Sequence, residues 1–343
     1  ISNTALRPSS KERCAEGPRQ GRIPVWIALS VSVVAAVAAV LATVPFLSND
    51  GAHHLTGWEI ARQARAEAVP NVAILQPISS RGFDAVYGSF RRFFGANGAW
   101  AATHMVLVLA LGAAFTAAVR ARGGQLTATS GVGLSLALAA PLCMGFYSFQ
   151  FGCALALVCV ALQPSGDPRP VRLAVLSALL LATAATHAFA AVVAGILLVA
   201  SALLDDTSAP TARRRLERLG ILALVGTPAA LLALLAFVGD SVPADVVDTQ
   251  PLIMQPTLAL SALFGSARPG AVVAACAFAF IVATGGVPAR ARDRALGGAG
   301  LCLFLFGLLL PRDLGSWQFF SLRPLFLGAL TLLLVQSSTP RAG

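Results

Sequence analysis

Long apolar runs recur along the chain, separated by short polar stretches rich in arginine, glycine and proline. An α-helix needs roughly 20 residues to cross a bilayer. By that rule the pattern predicts about ten spans, near residues 23 to 47, 98 to 119, 127 to 145, 149 to 163, 171 to 186, 188 to 204, 218 to 238, 269 to 286, 296 to 311 and 320 to 337. One junction sets the parity. The stretch VRLAVLSALLLATAATHAFAAVVAGILLVASALL, from Val171 to Leu204, is too long for a single span at about 1.5 Å per residue and contains no proline. A break at THAF, around His187, divides it into two spans. With the N-terminus cytoplasmic, the Arg120/Arg122, Arg169/Arg172, Arg213 to Arg218 and Arg290/Arg292/Arg294 clusters then all fall inside, as the positive-inside rule requires. Without the break, ARRRLER would fall outside.

Between the spans, two outer loops are long. The first, residues 48 to 97, carries two amphipathic segments, GWEIARQARAEA and DAVYGSFRRFFG. They predict helices lying at the membrane surface, with Trp58, Tyr87, Phe90 and Phe93 dipping into it. The second, residues 239 to 268, holds Asp240, Asp245 and Asp248, followed by LIMQPTLALSALFG, the pattern of a re-entrant or interfacial helix. A shorter outer loop reads PRDLGSWQFFSLR. The resulting map is a cytoplasmic tail over residues 1 to 22, one transmembrane unit over 23 to 337 and a short cytoplasmic tail over 338 to 343.

Composition strengthens this picture. The chain is 57% hydrophobic and 12% charged, against about 25% charged in ordinary soluble domains, and no stretch is left over for a sizeable soluble domain. The expected class is therefore an all-α, polytopic integral membrane protein. Its formal charge is +10, nearly all from arginine, since Lys11 is the only lysine. In such a protein basic charge marks cytoplasmic loops and anionic headgroups, and no nucleic-acid motif accompanies it. The first span follows Arg7, Lys11, Arg13, Arg19 and Arg22, yet its apolar part exceeds the roughly 7 to 15 residues of a signal peptide, so it reads as a retained anchor. The six cysteines are scattered without metal-like spacing and read as small core residues with free thiols.

Candidate chemistry is sparse. Asp50 ends the first span at a depth where desolvation and headgroups tune a carboxylate as a base or metal ligand. The same residue is a favoured N-cap for the helix that GAHHLTGWEIARQ predicts. His53 and His54 follow three and four residues later, so one or both share its helical face. A carboxylate with an imidazole can hold a divalent metal ion or pass a proton; a histidine pair at an interface can equally be polar decoration. His104 and His187 lie within apolar segments, where each can hydrogen-bond a neighbouring helix. Arg312 and Arg323 flank an aromatic loop at headgroup depth, and either snorkel to headgroups or grip a phosphodiester bidentately. The chain lacks GxxxxGK[ST], HExxH, GxSxG and a dinucleotide fingerprint, which argues against an ATP-driven transporter or a membrane zinc protease. A coupled transporter needs buried midplane charges, which are nearly absent.

A span ending in an acid, TVPFLSNDGAHHL, followed by an outer loop with amphipathic helices, resembles the start of the GT-C fold membrane glycosyltransferases. GFYSFQFGCALAL over residues 145 to 157, ATHAFA, and LPRDLGSWQFFSLRPLFL are similar to stretches of uncharacterised bacterial GT-C-like proteins. The resemblance implies transfer of a sugar from a polyprenyl-phosphate carrier to an acceptor on the outer face of the bacterial inner membrane. It implies Asp50 as the first-loop acid that activates the acceptor or binds a divalent metal, and Arg312 or Arg323 as ligand of the carrier phosphate; beside them His54 is the residue expected to bind substrate or to share a metal with Asp50. The implied partners are the lipid-linked sugar, membrane lipids and other membrane subunits. The alternatives are a non-catalytic GT-C-like subunit of a larger complex and a lipid or solute transporter.

Overall fold

The computed structural model describes residues 51–66, 81–137, 146–163, 169–203, 212–239, 260–261, 263, 268–284, 288, 290–310 and 320–338. Among them the chain is all-helical, with eleven helices and no strand. In order these are α1 (Gly51–Ala66), α2 (Gly82–Arg91), α3 (Ala96–Ala121), α4 (Ala128–Ala137), α5 (Tyr147–Ala161), α6 (Pro170–Thr186), α7 (Ala188–Leu203), α8 (Ala212–Gly239), α9 (Arg268–Thr284), α10 (Ala291–Leu309) and α11 (Leu322–Ser338). The first apolar run and the second outer loop's Asp240, Asp245 and Asp248 lie outside the described residues.

Helix ends follow local chemistry. Pro170 occupies the first turn of α6, where its fixed φ suits a helix start and no N–H bond is lost. The expected break at THAF is present: α6 ends at Thr186, His187 is extended at φ −164 and ψ 115, and α7 starts at Ala188. At the end of α3, Gly123 adopts φ 75, a left-handed conformation that favours glycine, and the Gly124 N–H returns to the Val119 oxygen at 3.0 Å. Arg172 of α6 donates to the oxygens of Leu162 and Gln163 at 2.7 and 3.0 Å, a cation satisfying carbonyls that α5 leaves open at its C-terminus.

α11 is the central element. Every residue from Ser321 to Val335 is buried, and α3, α4, α7, α9 and α10 pack around it. Its tightest partner is α10. A Cβ at Gly328 would lie 2.5 Å from the Phe304 nitrogen and 2.7 Å from the Gly300 oxygen, and one at Gly307 would lie 2.6 Å from the Leu325 nitrogen. Glycines therefore let the two backbones touch, the small-residue mode by which helices associate without a hydrophobic drive. α6 packs on α5, α7 and α8, and α7 on α5 and α8 as well as on α10.

α3 and α8 are long and apolar enough to cross a membrane. The apolar stretch of α8 is only 22% buried, so it is not a core helix of a soluble bundle. Leu224, Leu231, Leu234, Leu235 and Val238 all face outward. Contiguous apolar surface of this kind marks a membrane or partner contact. α5, α6, α7, α9 and α11 are shorter apolar helices.

Candidate functional site

Three of the residues that the sequence singles out, His104, His187 and Arg323, meet at one end of the bundle, around FYSFQFG at the start of α5. Residues 146 to 153 are all buried, and successive side chains reach different elements. Phe146 lies under the guanidinium of Arg323 in the first turn of α11, 5.2 Å from ring centre to cation. Tyr147 meets His104 and Trp100 of α3 edge-on, with centroids 4.6 and 5.4 Å apart. The Ser148 hydroxyl accepts the Phe83 N–H of α2 at 3.1 Å. Phe149 meets the His187 ring at 5.2 Å and Phe326 of α11 at 6.1 Å. Gly152 is where α5 and α7 cross, since a Cβ there would lie 2.7 Å from that of Ala190.

The polar groups of this end have defined settings. His104 is buried, and its Nδ1 lies 2.8 Å from the Trp100 oxygen. A carbonyl only accepts, so Nδ1 carries the proton. The bond runs within its own helix, while the expected bond to a neighbouring helix is replaced by ring packing against Tyr147. His187 is buried at the α6/α7 break. Arg323 is 8% exposed, so it is a buried cation stacked on an aromatic face, where both charge and planarity contribute.

The surface helices dock at this same end. The Arg81 N–H bonds the Ala185 oxygen at 3.3 Å, so the start of α2 takes up an open carbonyl at the end of α6 while Ser148 takes up an open N–H of α2. Phe83 and Tyr87 are fully buried against Trp100 and Tyr147. Trp58 of α1 packs edge-on to Tyr87 at 5.0 Å. These contacts correct the expectation that Trp58, Tyr87, Phe90 and Phe93 all dip into the membrane. Tyr87 turns wholly into the protein, Trp58 and Phe90 pack partly buried against it, and Phe93 remains 81% exposed. A ten-residue helix has two faces, and the neighbouring aromatic cluster takes the one bearing Phe83 and Tyr87.

Glu59 of α1 joins these helices electrostatically. Its Oε1 accepts Arg91 Nε at 2.7 Å and the Tyr87 hydroxyl at 3.1 Å, and its Oε2 accepts Arg62 Nε at 2.9 Å. Burial pushes the Glu59 carboxyl up, but the donated bonds from Arg91, Arg62 and Tyr87 outweigh it and hold it below its ordinary value. Burial, then the carboxylate, push the Tyr87 phenol up to about 12. This network was not anticipated from the sequence. Its signal is the spacing of Glu59 and Arg62 on one helical face, but Arg91 and Tyr87 come from a second helix.

Of the four site residues expected from the sequence, Arg323 is brought to the aromatic hub. Asp50 and Arg312 lie outside the described residues, and His54 falls in the first turn of α1. Among the described residues no three His, Cys, Asp or Glu side chains gather as a metal site, and the Asp50 half of the expected metal pair is not among them. No family model, curated protein or solved structure matches the chain.

Proposed function

We propose that the chain is a multi-span membrane protein of the GT-C type that moves a sugar from a polyprenyl-phosphate carrier to an acceptor. The observation that carries the reading is the convergence of α2, the FYSFQFG hub and Arg323 at one end of the bundle. A first-loop helix, a buried fork cation and the start of the central helix are the parts such an enzyme needs around a lipid phosphate. In this reading Asp50, one residue ahead of α1, acts as base on the acceptor or holds a divalent metal with His54, and Arg323 or Arg312 grips the carrier phosphate. Transfer is displacement at the anomeric carbon: the acceptor oxygen forms the new bond, the carrier phosphate leaves with the bonding pair, and the acceptor proton passes to Asp50. The ten-span topology in the bacterial inner membrane, N-terminus cytoplasmic, belongs to the same proposal. Outward apolar faces on α3 and α8 support it, as do arginine clusters at helix ends remote from the hub.

A second reading, a non-catalytic subunit, is favoured by the density of the hub, where Phe146, Tyr147, Phe149 and Phe326 fill the space between helices. Asp50→Asn separates the two. Asn caps a helix about as well as Asp but neither takes a proton nor brings full charge to a metal. In purified protein given lipid-linked sugars, Asp50→Asn is expected to keep its unfolding temperature and lose transfer by about 10² to 10⁴. Turnover equal to wild type would reduce Asp50 to a cap, and wild-type protein inert toward every lipid-linked sugar would favour the subunit.

A further inference from the structure

At the opposite end of the bundle, α3 and α10 meet through arginines. Arg122, the residue after α3, is 1% exposed and gives Nη1 to Oδ1 of Asp293 in the first turn of α10. Arg290 in turn gives its Nη1 to the Arg122 main-chain oxygen at 2.8 Å. This leaves Nε and Nη2 of Arg122, both buried and meeting no hydrogen-bond acceptor among the described residues. These two nitrogens sit side by side on one edge of the planar guanidinium. That edge matches two oxygens of one anion.

Charge points the same way. Asp293 is the carboxylate that pairs with Arg122 among the described residues, and Arg290 and Arg292 both act electrostatically on Arg122 as like charges. That carboxylate faces one side of the Arg122 guanidinium, while the charges of Arg290 and Arg292 act against it. A charged donor edge buried without an acceptor is unfavourable, and like charges nearby make it more so. An anion with several oxygens relieves both. The left-handed turn at Gly123 also leaves no side chain beside Arg290, whose guanidinium nitrogens lie 3.7 and 3.8 Å from where a Cβ would stand.

We infer that the Nε and Nη2 edge of Arg122, flanked by Arg290 and Arg292, is a binding site for a phosphate group. The two unesterified oxygens of a phosphodiester can accept both N–H groups of the Arg122 edge and still offer lone pairs to a neighbouring guanidinium. The position at the end of apolar helices favours the headgroup of an anionic lipid over free phosphate as its source. Arg122 is about 27 Å from His104 along α3 at about 1.5 Å per residue, so this site is separate from the proposed transfer end and is tested without it.

The test uses the purified full chain in detergent with three probes: phosphatidylglycerol, phosphatidylcholine and inorganic phosphate. Lipid retention is read by native mass spectrometry and protection by the unfolding temperature. Phosphatidylglycerol is expected to be retained and to raise the unfolding temperature, and phosphatidylcholine to do neither. Arg122→Lys keeps a cation facing Asp293 but loses the fork, and is expected to weaken retention about tenfold. The double variant Arg290→Gln/Arg292→Gln leaves the Arg122 to Asp293 pair intact and is also expected to lose retention, so it decides if Arg122→Lys does not fold. Arg213→Gln, at an exposed arginine of α8, is expected to bind like wild type. Inorganic phosphate that protects equally and displaces the lipid would support the phosphate site and overturn its lipid source. Wild-type retention by the lysine and double variants, or an equal loss in Arg213→Gln, would overturn the site itself.

Discussion

The Tyr87 hydroxyl on α2 donates to the Glu59 carboxylate on α1 at 3.1 Å, and the same oxygen accepts Arg91 at 2.7 Å. The two surface helices are thus held by a shared acceptor beside an edge-on Trp58. Both titrations bear on this contact, with opposite signs. Glu59 has a lowered value, so its contribution is present above the ordinary carboxylate range of about 4 and is lost as the pH falls further. Tyr87 is raised to about 12, so its contribution is whole below about 10 and is lost as the pH rises through 12. Hydrogen exchange over α1, corrected for its intrinsic pH dependence, should therefore be slowest between those limits. Glu59→Gln should bring the phenolate absorbance step that Tyr87→Phe removes back toward 10.

Gly328 and Gly300 make a sharper structural prediction. A methyl at Gly328 meets backbone atoms of α10, which cannot swing aside. Gly328→Ala should cost about 3 kcal/mol, the upper part of the range for overpacking, and lower the unfolding temperature by several degrees. Gly298→Ala meets nothing within 4 Å. It should be neutral or stabilise by up to about 1 kcal/mol through helix propensity.

Opposite ends of the bundle should face opposite sides of the membrane. Single cysteines placed at Gln63 on α1 and at Arg213 on α8, in a background lacking native cysteines such as the exposed Cys276 and Cys302, are expected to react with a membrane-impermeant reagent from different sides. Labelling of both from one side would contradict the ten-span topology.

Arg323 lies over Phe146 as a flat cation. Arg323→Lys keeps the charge and loses both the stacking and the bidentate edge, so retention of a polyprenyl phosphate should fall about tenfold. A lysine variant that holds the lipid as wild type does would reassign the carrier phosphate to Arg312 or to no arginine at all.

Helices were legible because they are set by local pattern. Apolar length locates α3, α5, α6, α7, α9 and α11 within about two residues, whereas α8 and α10 begin in arginine-bearing turns ahead of their apolar runs, and the excess length of residues 171 to 204 locates the break at His187. What was not legible depends on partners distant in sequence. Asp293 stands within the Arg290 to Arg294 cluster, and its partner Arg122 is 171 residues away in sequence. Tyr87 looks like a membrane anchor because periodicity gives a helix an apolar face without saying whether lipid or protein covers it. The hub was readable as a motif, FYSFQFG, but the reason for each letter is a different neighbouring helix.

The burial of α11 constrains how the chain is made. The helix on which α3, α4, α7, α9 and α10 converge is the last of the described elements to leave the ribosome. At roughly 5 to 20 residues per second, the inward face of α3, with Leu111, Phe115 and Ala118, waits roughly 10 to 40 s for the partner that covers it. The earlier helices therefore gather around a place still unoccupied, and they must remain loose enough for α11 to enter. The centre of the bundle is thus the last part to be filled.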